Sequence, residues 1–564
     1  MTHRSLSPAD GGPHDASPFI RERLAAILND FHDPEASAPA LLCDRHDPGS
    51  VAFRFVSEDL EVSEMTFGEL RLRSERVAHA LASRGIQAGD RVASLLGKGP
   101  DLPVLILGIW RLGAVYVPLF TAFAAGAVAD RVAAADVRLI VTDRDQLPKV
   151  DGLDCTIMLA NERTDAPALE TDLTDLSAAI TAGERWTSDV PVRGPNAPIV
   201  QMATSGTTGK PKVVVHPLAY AAGWQSYLEL AINPGKVFWC GADPGWAYGL
   251  YLLIVAPLAS GIPAVFTCGT FKPALTWRVL SELGVTDFTA APTALRALRT
   301  VDDGTPLPHL RGLSSAGEPL TPEVIEWSTA RFGVAVHDHF GQTELGMPAG
   351  FPHHPDLAID VVAGAMGTSL PGWSMTVLKH DADAPAATGE VGRLAVEVAE
   401  SPFFTFTGYG IYRDNRSSRF TGDGRYYITG DLASLGADDL IRFSSRDDDV
   451  ILMAGYRIGP FDVESVLVTH PGVAECAVVA APDEVRGEVI HAYVVPSGPV
   501  EDPDALTLDL QEWVRTKYAA HAYPRLVSLV DALPKTPSGK IQRAVLRQQS
   551  QALAAAGKQP VPDR

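Results

Sequence analysis

The chain has 564 residues, of which 46% are hydrophobic and 20% are charged, and its formal net charge is −21 at pH 7. This length exceeds a single compact core, so at least two domains are expected. The negative charge argues against nucleic acid as a partner, because binding it requires clustered Lys and Arg side chains that replace phosphate counterions. An acidic protein that handles anionic substrates must therefore place basic residues at the site itself.

The N-terminal residues 1–18 are polar, contain Gly and Pro, and predict a disordered tail rather than a targeting segment. The five cysteines lie far apart and form no C-x-x-C pair, which predicts reduced and mostly buried thiols. Both features predict a cytoplasmic protein.

Amphipathic helices and short apolar strands alternate up to about residue 445, a pattern typical of α/β layering. Thr66 and Glu69 form a capping box, and Gly85 is placed to end the helix that begins there. The elements expected next, in chain order, are a strand at Arg91–Leu96, a helix at Leu102–Trp110, strands at Leu139–Thr142, Ile199–Ala203 and Val213–His216, and a helix at Leu275–Leu283.

One uncharged stretch, residues 245–271, is long enough to span a membrane. Pro257, Gly261 and Pro263 divide it, and proline and glycine interrupt regular elements. We therefore predict a buried helix around residues 248–256 and a short strand at 264–267 instead of a membrane span.

A polar, acidic stretch at residues 444–449 separates this pattern from a compact α+β pattern that ends near Leu546. We interpret the stretch as a hinge. The predicted organisation is a large domain over residues 19–447, with more than one sheet, and a small domain over residues 448–564.

The most specific local motif lies between two of the predicted strands. It reads Thr204, Ser205, Gly206, Thr207, Thr208, Gly209, Lys210, Pro211, Lys212. Glycines let backbone N–H groups surround phosphate oxygens, hydroxyls donate further hydrogen bonds, and lysine supplies positive charge. The motif is not a Walker A loop, because Thr204 and Pro211 stand where that pattern needs Gly and Ser or Thr. A Ser/Thr/Gly cluster alone is more often an ordinary turn.

This nonapeptide resembles the signature of the adenylate-forming superfamily, which includes acyl-CoA synthetases, firefly luciferases and the adenylation domains of peptide synthetases. The resemblance continues in order through most of the chain. It implies a large layered α/β domain with a small β subdomain, followed by a small, mobile α+β domain. It also implies that residues 204–210 bind the phosphates of ATP and that Thr204 takes part in catalysis.

Three further segments resemble nucleotide-binding elements of that family. Gly317, Glu318 and Pro319 resemble its adenine-contacting turn, and Asp431 and Arg446 resemble its ribose-binding residues. The segment that resembles its aromatic-Gly-Gln-Thr-Glu motif is Asp338, His339, Phe340, Gly341, Gln342, Thr343, Glu344. The resemblance implies that Thr343 contacts the α-phosphate and that Glu344 helps to hold Mg²⁺. His339 replaces a commoner small or hydroxyl residue, which leaves its contribution open.

The small domain carries the remaining motifs. Lys540 matches the lysine that is essential for adenylation in the family, and Asp448 falls at its hinge. Gly455 and Tyr456 resemble the lining of its pantetheine tunnel, and Arg457 resembles an arginine that reaches phosphate. Val468, His470 and Val473 resemble a cation-holding turn of acetyl-CoA synthetases, although one such His is usually a capping or surface residue.

The acyl pocket is the least readable part of the sequence. Trp246, Ala247 and Gly249 resemble the start of the helix that lines it, and Gly341 stands where acetyl-CoA synthetases have a tryptophan wall. A missing wall predicts longer acids than acetate and a broad preference, because a hydrophobic pocket discriminates by only ~1–3 kcal/mol per methylene. Short- to medium-chain fatty acids are favoured, with aromatic acids possible.

The resemblance implies an AMP-forming acyl-CoA synthetase that uses a carboxylic acid, Mg²⁺, ATP and coenzyme A. Two alternatives remain within the enzyme class: an adenylating enzyme that loads a separate carrier protein, and an aryl-CoA ligase. From another class, the alternative is a nucleotide-binding regulatory protein without turnover. Retention of Thr343, Glu344, Asp431 and Lys540 together argues against that last alternative. The sequence does not predict the oligomeric state.

Overall fold

The computed structural model describes residues 17–160, 174–204, 211–410, 419–453, 456–483, 486–519, 522–536 and 539–555. Two large β-sheets form its centre. Their strands are β1 (Val51–Val56), β2 (Val62–Thr66), β3 (Arg91–Leu95), β4 (Val115–Pro118), β5 (Leu139–Thr142), β6 (Thr156–Leu159), β7 (Thr174–Asp175), β8 (Pro198–Thr204), β9 (Lys212–Pro217), β10 (Phe238–Cys240), β11 (Ala264–Thr267), β12 (Asp287–Ala290), β13 (Gly312–Ala316), β14 (Val336–Gln342), β15 (Gly346–Gly350) and β16 (Thr368–Ser369). The nine-stranded sheet has the order β16-β15-β14-β13-β12-β10-β11-β1-β2, and the seven-stranded sheet has the order β7-β6-β5-β3-β4-β8-β9.

Two smaller sheets follow along the chain. The four-stranded sheet consists of β17 (Met375–Leu378), β18 (Gly392–Glu397), β19 (Tyr426–Leu435) and β20 (Ile441–Arg446), in that spatial order. The last sheet contains β21 (Ile451–Met453), β22 (Tyr456–Ile458), β23 (Val473–Asp483), β24 (Gly487–Pro496) and β25 (Leu526–Leu529), in the order β22-β21-β24-β23 with β25 beside β24. A large α/β part with several sheets and a smaller C-terminal α+β part are confirmed.

Fourteen α-helices lie in the described part of the chain. They are α1 (Pro18–His32), α2 (Phe67–Ser83), α3 (Asp101–Arg111), α4 (Ala125–Ala135), α5 (Leu176–Ala182), α6 (Tyr220–Ser226), α7 (Ala247–Gly249), α8 (Ala256–Ser260), α9 (Pro273–Glu282), α10 (Pro292–Arg299), α11 (Pro322–Phe332), α12 (Pro460–Leu467), α13 (Pro503–Lys517) and α14 (Arg543–Ala555). A π-helical segment, Tyr227–Ile232, extends α6, and a second one, Leu250–Val255, joins α7 to α8.

The main core joins the two large sheets. It contains Phe53 of the nine-stranded sheet, Val92 of the seven-stranded sheet and residues of α2 and α3. Every residue of α3 is buried, as expected of a helix that is covered on all sides. The C-terminal sheet has a separate core that includes Ile451, Val478 and Leu510. The two parts therefore bury their apolar side chains independently.

The helix after Met65 confirms its predicted signals. Thr66 Oγ1 accepts a hydrogen bond from the Glu69 backbone N–H, and the Glu69 carboxylate accepts one from the Thr66 backbone N–H. The helix ends at Ser83, and Gly85 follows with φ = 81°, a left-handed conformation that glycine adopts without strain. The other predicted strands and helices agree with the observed bounds within two residues.

The uncharged stretch folds as helix and strand, as predicted. Residues 247–260 are helical in three consecutive segments, and β11 forms the strand. In the part of the chain that the structure describes, no helix combines the length and apolarity needed to cross a bilayer. All five cysteines are free thiols.

The predicted tail ends two residues too late. Pro18 is the first residue of α1, and the Ser17 side chain accepts a hydrogen bond from the Ile20 backbone N–H at 3.4 Å. Serine before proline is a helix-start signal, so these residues belong to the folded chain. Residues 1–16 lie outside the described residues.

Candidate active site

The candidate site lies where strand ends of the large sheets meet the four-stranded sheet. Ala316 ends β13, Gln342 ends β14, and Thr204 ends β8. Asp431 of β19 and Arg446 of β20 are directly opposite each other in the antiparallel register of the small sheet. Side chains from segments far apart in sequence are brought together there.

Gln342 and Arg446 hold the buried carboxylate of Asp431 from two sides. Gln342 Nε2 donates a hydrogen bond to Asp431 Oδ2 at 2.7 Å and to the Thr429 carbonyl at 3.0 Å. Arg446 Nη1 donates to Asp431 Oδ1 at 3.0 Å. Burial raises the pKa of Asp431, and Arg446 offsets part of that rise. The carboxylate is therefore fixed in place, as hydrogen bonding to a sugar requires.

Two buried aromatic residues support the carbonyl of Thr343. His216 Nε2–H donates to the Thr343 carbonyl at 2.7 Å, and Tyr220 Oη donates to the same oxygen at 2.9 Å. His216 Nδ1 accepts from Tyr251 Oη at 2.9 Å, and its ring stacks on Tyr220 with centroids 3.9 Å apart. Burial lowers the pKa of His216 to about 3, so the ring is neutral with its proton on Nε2. Sequence patterns alone missed His216 and Tyr220.

Glu344 presents a carboxylate next to the partly described phosphate loop. Tyr409 Oη donates to Glu344 Oε1 at 2.6 Å, and the Lys212 ammonium lies 5.1 Å from the centroid of the Tyr409 ring. Carboxylate oxygens are the ligands that Mg²⁺ prefers, so Glu344 fits the predicted magnesium ligand. Thr204 lies at the other end of the loop, where its hydroxyl donates to the Lys212 carbonyl at 3.3 Å. Residues 205–210 of the loop lie outside the described residues.

The side chains of Asp338 and His339 are directed differently from one another along β14. His339 is 2% exposed, donates from Nε2 to the Phe351 carbonyl at 2.9 Å and accepts at Nδ1 from Tyr227 Oη at 2.6 Å. Its ring therefore packs under the strand, which resolves the contribution that the sequence left open. Burial raises the pKa of Asp338 well above its usual range. Phe340 is partly buried against the main core.

The turn after β13 carries the predicted adenine-contacting residues. Gly317 has φ = 98°, which favours glycine, and it is exposed together with Pro319. The Glu318 carboxylate accepts hydrogen bonds from Thr293 Oγ1 at 2.7 Å and from Arg296 Nη2 at 2.8 Å. Its side chain is engaged within the large domain, while the turn backbone faces solvent.

Lys540 reaches this cleft from the C-terminal part. Withdrawal of water lowers the pKa of the Lys540 ammonium, nearby Glu318 and Asp431 oppose that shift, and Arg446 adds to it. These three side chains belong to β13–β20 segments of the large part, so the ammonium lies beside the predicted nucleotide residues. The structure therefore brings Lys540 together with the turn at Glu318 and the Asp431–Arg446 pair.

The acyl-pocket residues are only partly brought together. The Trp246 ring packs against Phe120 and Phe123, with centroids 5.6 and 5.4 Å apart, in a core cluster separate from the one that contains Met347. Ala247 packs against the main core. A side chain at Gly249 would overlap the Asp243 carbonyl, so the start of α7 requires glycine.

The missing wall at Gly341 is not an open space. A Cβ atom at Gly341 would overlap the Met347 Sδ and the Gly346 carbonyl. Met347 therefore occupies the direction in which a side chain at position 341 would extend. The hydroxyls of Tyr227 and Tyr248 lie 3.3 Å apart on the same side of the structure as Asp338, which they influence electrostatically.

The small-domain motifs are described in part. Asp448 lies in a short 3₁₀ turn, Asp447–Asp449, that joins β20 to β21, and its carboxylate is 3.6 Å from Arg446 Nε. Tyr456 and Arg457 pair with β21 through their backbone. Gly455 and the side chains of Tyr456 and Arg457 lie outside the described part.

The predicted cation turn offers no imidazole. His470 Nδ1 accepts from the Gly472 backbone N–H at 3.0 Å, and Nε2 is 3.0 Å from Asp509 Oδ2. Val473 donates its backbone N–H to the His470 carbonyl at 3.0 Å. Only backbone carbonyls of Val468, His470 and Val473 could serve as ligands, so a cation at this turn stays a prediction.

The sequence matches the family profile "AMP-binding enzyme" over residues 43–409 and "AMP-binding enzyme C-terminal domain" over residues 462–540. It is 33% identical over 496 residues to the acetyl-coenzyme A synthetase of Bacillus subtilis, covering 86% of this chain and 84% of that protein. It is 32% identical over 520 residues to acyl-coenzyme A synthetase ACSM3, mitochondrial, of Mus musculus, covering 88% and 86%. The crystal structure of an acyl-CoA synthetase of Brucella canis superposes with a TM-score of 0.73 at 38% identity, covering 96% and 99%.

Buried neutral histidines predict a loss of stability in mild acid. Burial lowers the pKa of His216 and His339 to about 3 and that of His491 to about 4, below the value of 6.5 in the unfolded chain. Below pH ~6.5 the unfolded state binds more protons, so the free energy of unfolding falls with pH by about 1.4 kcal/mol per unit for each such histidine.

Urea unfolding at several pH values between about 7 and about 5 measures this slope. His491→Gln should lower the number of protons taken up on unfolding by one, and stability that is independent of pH across this window would contradict the assignment.

Proposed function

This chain belongs to the AMP-binding enzyme family, and we propose that it joins a short- to medium-chain carboxylic acid to coenzyme A through an acyl-adenylate. It is an acid–thiol ligase that uses ATP, Mg²⁺ and coenzyme A and releases AMP and pyrophosphate. The observation that carries the proposed mechanism is the position of Lys540 beside Glu318, Asp431 and Arg446.

In the first half-reaction, a carboxylate oxygen attacks the α-phosphorus of ATP and pyrophosphate leaves. The nucleophile is already ionised at neutral pH, so no general base is needed. The difficulty is the repulsion between two anions and the charge that develops on the transferred group. Lys540 meets this need by holding oxygens of the carboxylate and of the α-phosphate in one ammonium.

The large domain holds the nucleotide. Asp431, kept in place by Arg446 and Gln342, accepts hydrogen bonds from the ribose hydroxyls. The turn at Gly317, Glu318 and Pro319 and the strand at Asp338 flank the adenine. Thr343, whose carbonyl is fixed by two hydrogen bonds, places its hydroxyl at the α-phosphate.

Residues 204–210 and Arg457 are proposed to bind the remaining phosphates. Glu344 would hold Mg²⁺, which neutralises charge on the phosphates when it is bound. Tyr409 fixes the Glu344 carboxylate by its hydrogen bond at 2.6 Å, so the ligand is oriented in advance.

In the second half-reaction, the thiol of coenzyme A attacks the acyl carbonyl and AMP leaves. Lys540 then occupies space and supplies charge that this step does not need. We propose that the small domain rotates about the turn at Asp448, withdrawing Lys540 and bringing Gly455 and Tyr456 to the pantetheine chain. The single short turn between β20 and β21, exposed at Asp447 and Asp448, supports a hinge there.

Two alternatives are separated by simple additions. Pyrophosphate release that depends on both MgATP and a carboxylic acid distinguishes the ligase from a regulatory binder. Thioester formation with coenzyme A then distinguishes it from an enzyme that loads a carrier protein. A cytoplasmic location stays a prediction, which the five free thiols support.

Replacing the central cation tests the mechanism. Lys540→Ala should slow acid-dependent pyrophosphate release by about 100-fold, the scale on which a preorganised charge stabilises a transition state. Lys535→Ala is the matched control, since its ammonium pairs with Glu475 at 2.8 Å within the small domain. Full-speed release by Lys540→Ala would refute the proposed role.

The hinge is tested by restricting it. Asp448→Pro fixes φ at one residue and should leave acyl-adenylate formation near the wild-type rate while depressing thioester formation. Asp448→Ala removes the carboxylate without restricting the backbone and should leave both steps unchanged. Equal loss of both half-reactions in Asp448→Pro would place the hinge elsewhere.

The acyl pocket is tested with a panel of acids from about two to about twelve carbons, with benzoates as the aryl arm. We expect the highest kcat/KM for short to medium chains. Met347→Ala should shift the optimum to longer acids by about tenfold, whereas Met347→Leu conserves volume and should keep the wild-type profile. An unchanged profile in Met347→Ala would remove Met347 from the pocket.

A further inference from the structure

We propose that Thr293, Arg296 and Glu318 form a docking seat on the large domain, and that the Lys540 loop rests on it only while the acyl-adenylate is formed. This inference rests on the proposed function, and it assigns positioning roles to residues that the catalytic motifs leave unexplained. The loop consists of the described residues Thr536, Gly539 and Lys540 and the residues between them.

The docking seat is a closed set of hydrogen bonds within the large domain. The Thr293 hydroxyl lies 2.7 and 2.9 Å from the two oxygens of Glu318. Arg296 Nη2 donates to Thr293 Oγ1 at 2.9 Å and to Glu318 Oε2 at 2.8 Å. The Glu318 side chain is only 9% exposed. Thr293 and Arg296 share one face of α10, because residues three apart on a helix are neighbours.

The Lys540 loop is closed by its own hydrogen bonds. The Thr536 backbone N–H donates to the Lys540 carbonyl at 2.7 Å, and the Gly539 N–H donates to the Thr536 carbonyl at 2.8 Å. The Lys540 N–H donates to Thr536 Oγ1 at 3.0 Å. The loop therefore holds its shape without the large domain and can move with the small domain as one unit.

Gly539 is the point at which the loop meets the seat. A Cβ atom on Gly539 would lie 2.6 Å from Thr293 Cγ2 and 3.1 Å from Thr293 Oγ1, closer than non-bonded atoms approach. Gly539 also has φ = 89°, a conformation that side chains other than glycine rarely adopt. The loop backbone thus lies directly on Thr293, and glycine is the residue that permits this approach.

The contact places the next residue where its charge is useful. Glu318 attracts the Lys540 ammonium and opposes the loss of charge that the cleft favours. The seat therefore both locates the lysine and helps to keep it protonated. An error of ~1 Å in placing a catalytic group can reduce the rate by about 100-fold, so a single contact can control this step.

Rotation of the small domain must separate Gly539 from Thr293. The Thr293–Glu318–Arg296 bonds belong to the large domain alone and survive that rotation. Damage to the seat should therefore slow the first half-reaction and spare the second. A residue that only stabilises the fold would affect both half-reactions equally.

The test measures the two half-reactions separately. Thr293→Leu adds bulk under Gly539 and should reduce acid-dependent pyrophosphate release by about tenfold or more. Thioester formation from supplied acyl-adenylate and coenzyme A should keep the wild-type rate. Thr293→Ser keeps the hydroxyl and should restore the first half-reaction. Arg299→Ala, exposed on the same helix, is the matched control and should change neither step.

Gly539→Ala approaches the same contact from the small domain and should give the same split. Equal loss of both half-reactions, or loss of neither, in both Thr293→Leu and Gly539→Ala would overturn the docking seat. Failure of the proposed function is distinguishable, because the unaltered protein would then release no pyrophosphate with any acid.

Discussion

The chemistry depends on one ammonium group that must sit among anions inside an acidic protein. The chain carries a net charge of −21, yet its proposed substrates are a carboxylate, a triphosphate and a phosphorylated thiol. Long-range attraction cannot assemble them, so local cations must. Lys540, beside Glu318, Asp431 and Arg446, is such a cation, and it comes from a part of the chain with its own hydrophobic core.

The two parts divide the work according to their rigidity. In the large part, His216 and Tyr220 fix the Thr343 carbonyl, and Gln342 joins Asp431 to the strand that precedes Thr343. These contacts link both large sheets to the small β-sheet, so the nucleotide residues cannot shift singly. The C-terminal part is connected by one short turn, which suits a unit that delivers a charge and then withdraws it.

The sequence predicted what local patterns encode. The capping box at Thr66, the strand at residues 264–267 and the contiguous phosphate-loop motif each depend on neighbours in the chain, and the first two are confirmed. His216, Tyr220, Tyr409 and Thr293 were missed, because each acts through a partner more than twenty residues away and forms no motif around itself. Long-range partners become visible only once the sheets are assembled.

The acyl pocket illustrates the same limit. The absence of a wall was inferred from Gly341 alone, whereas Met347, six residues later and across a strand pair, occupies that space. Trp246 was placed by motif, and its ring packs against Phe120 and Phe123 instead. A pocket is defined by what fills it, and that depends on side-chain packing, which local spacing does not encode.

The most direct test of the account is the accessibility of Lys540 during the first half-reaction. Trace labelling of lysine amines, read by peptide mass spectrometry, compares the free protein with the protein in the presence of MgATP and acid. The account predicts that labelling of Lys540 falls while that of Lys272, exposed and paired with Glu58, stays constant. Equal labelling of Lys540 in both states would contradict it.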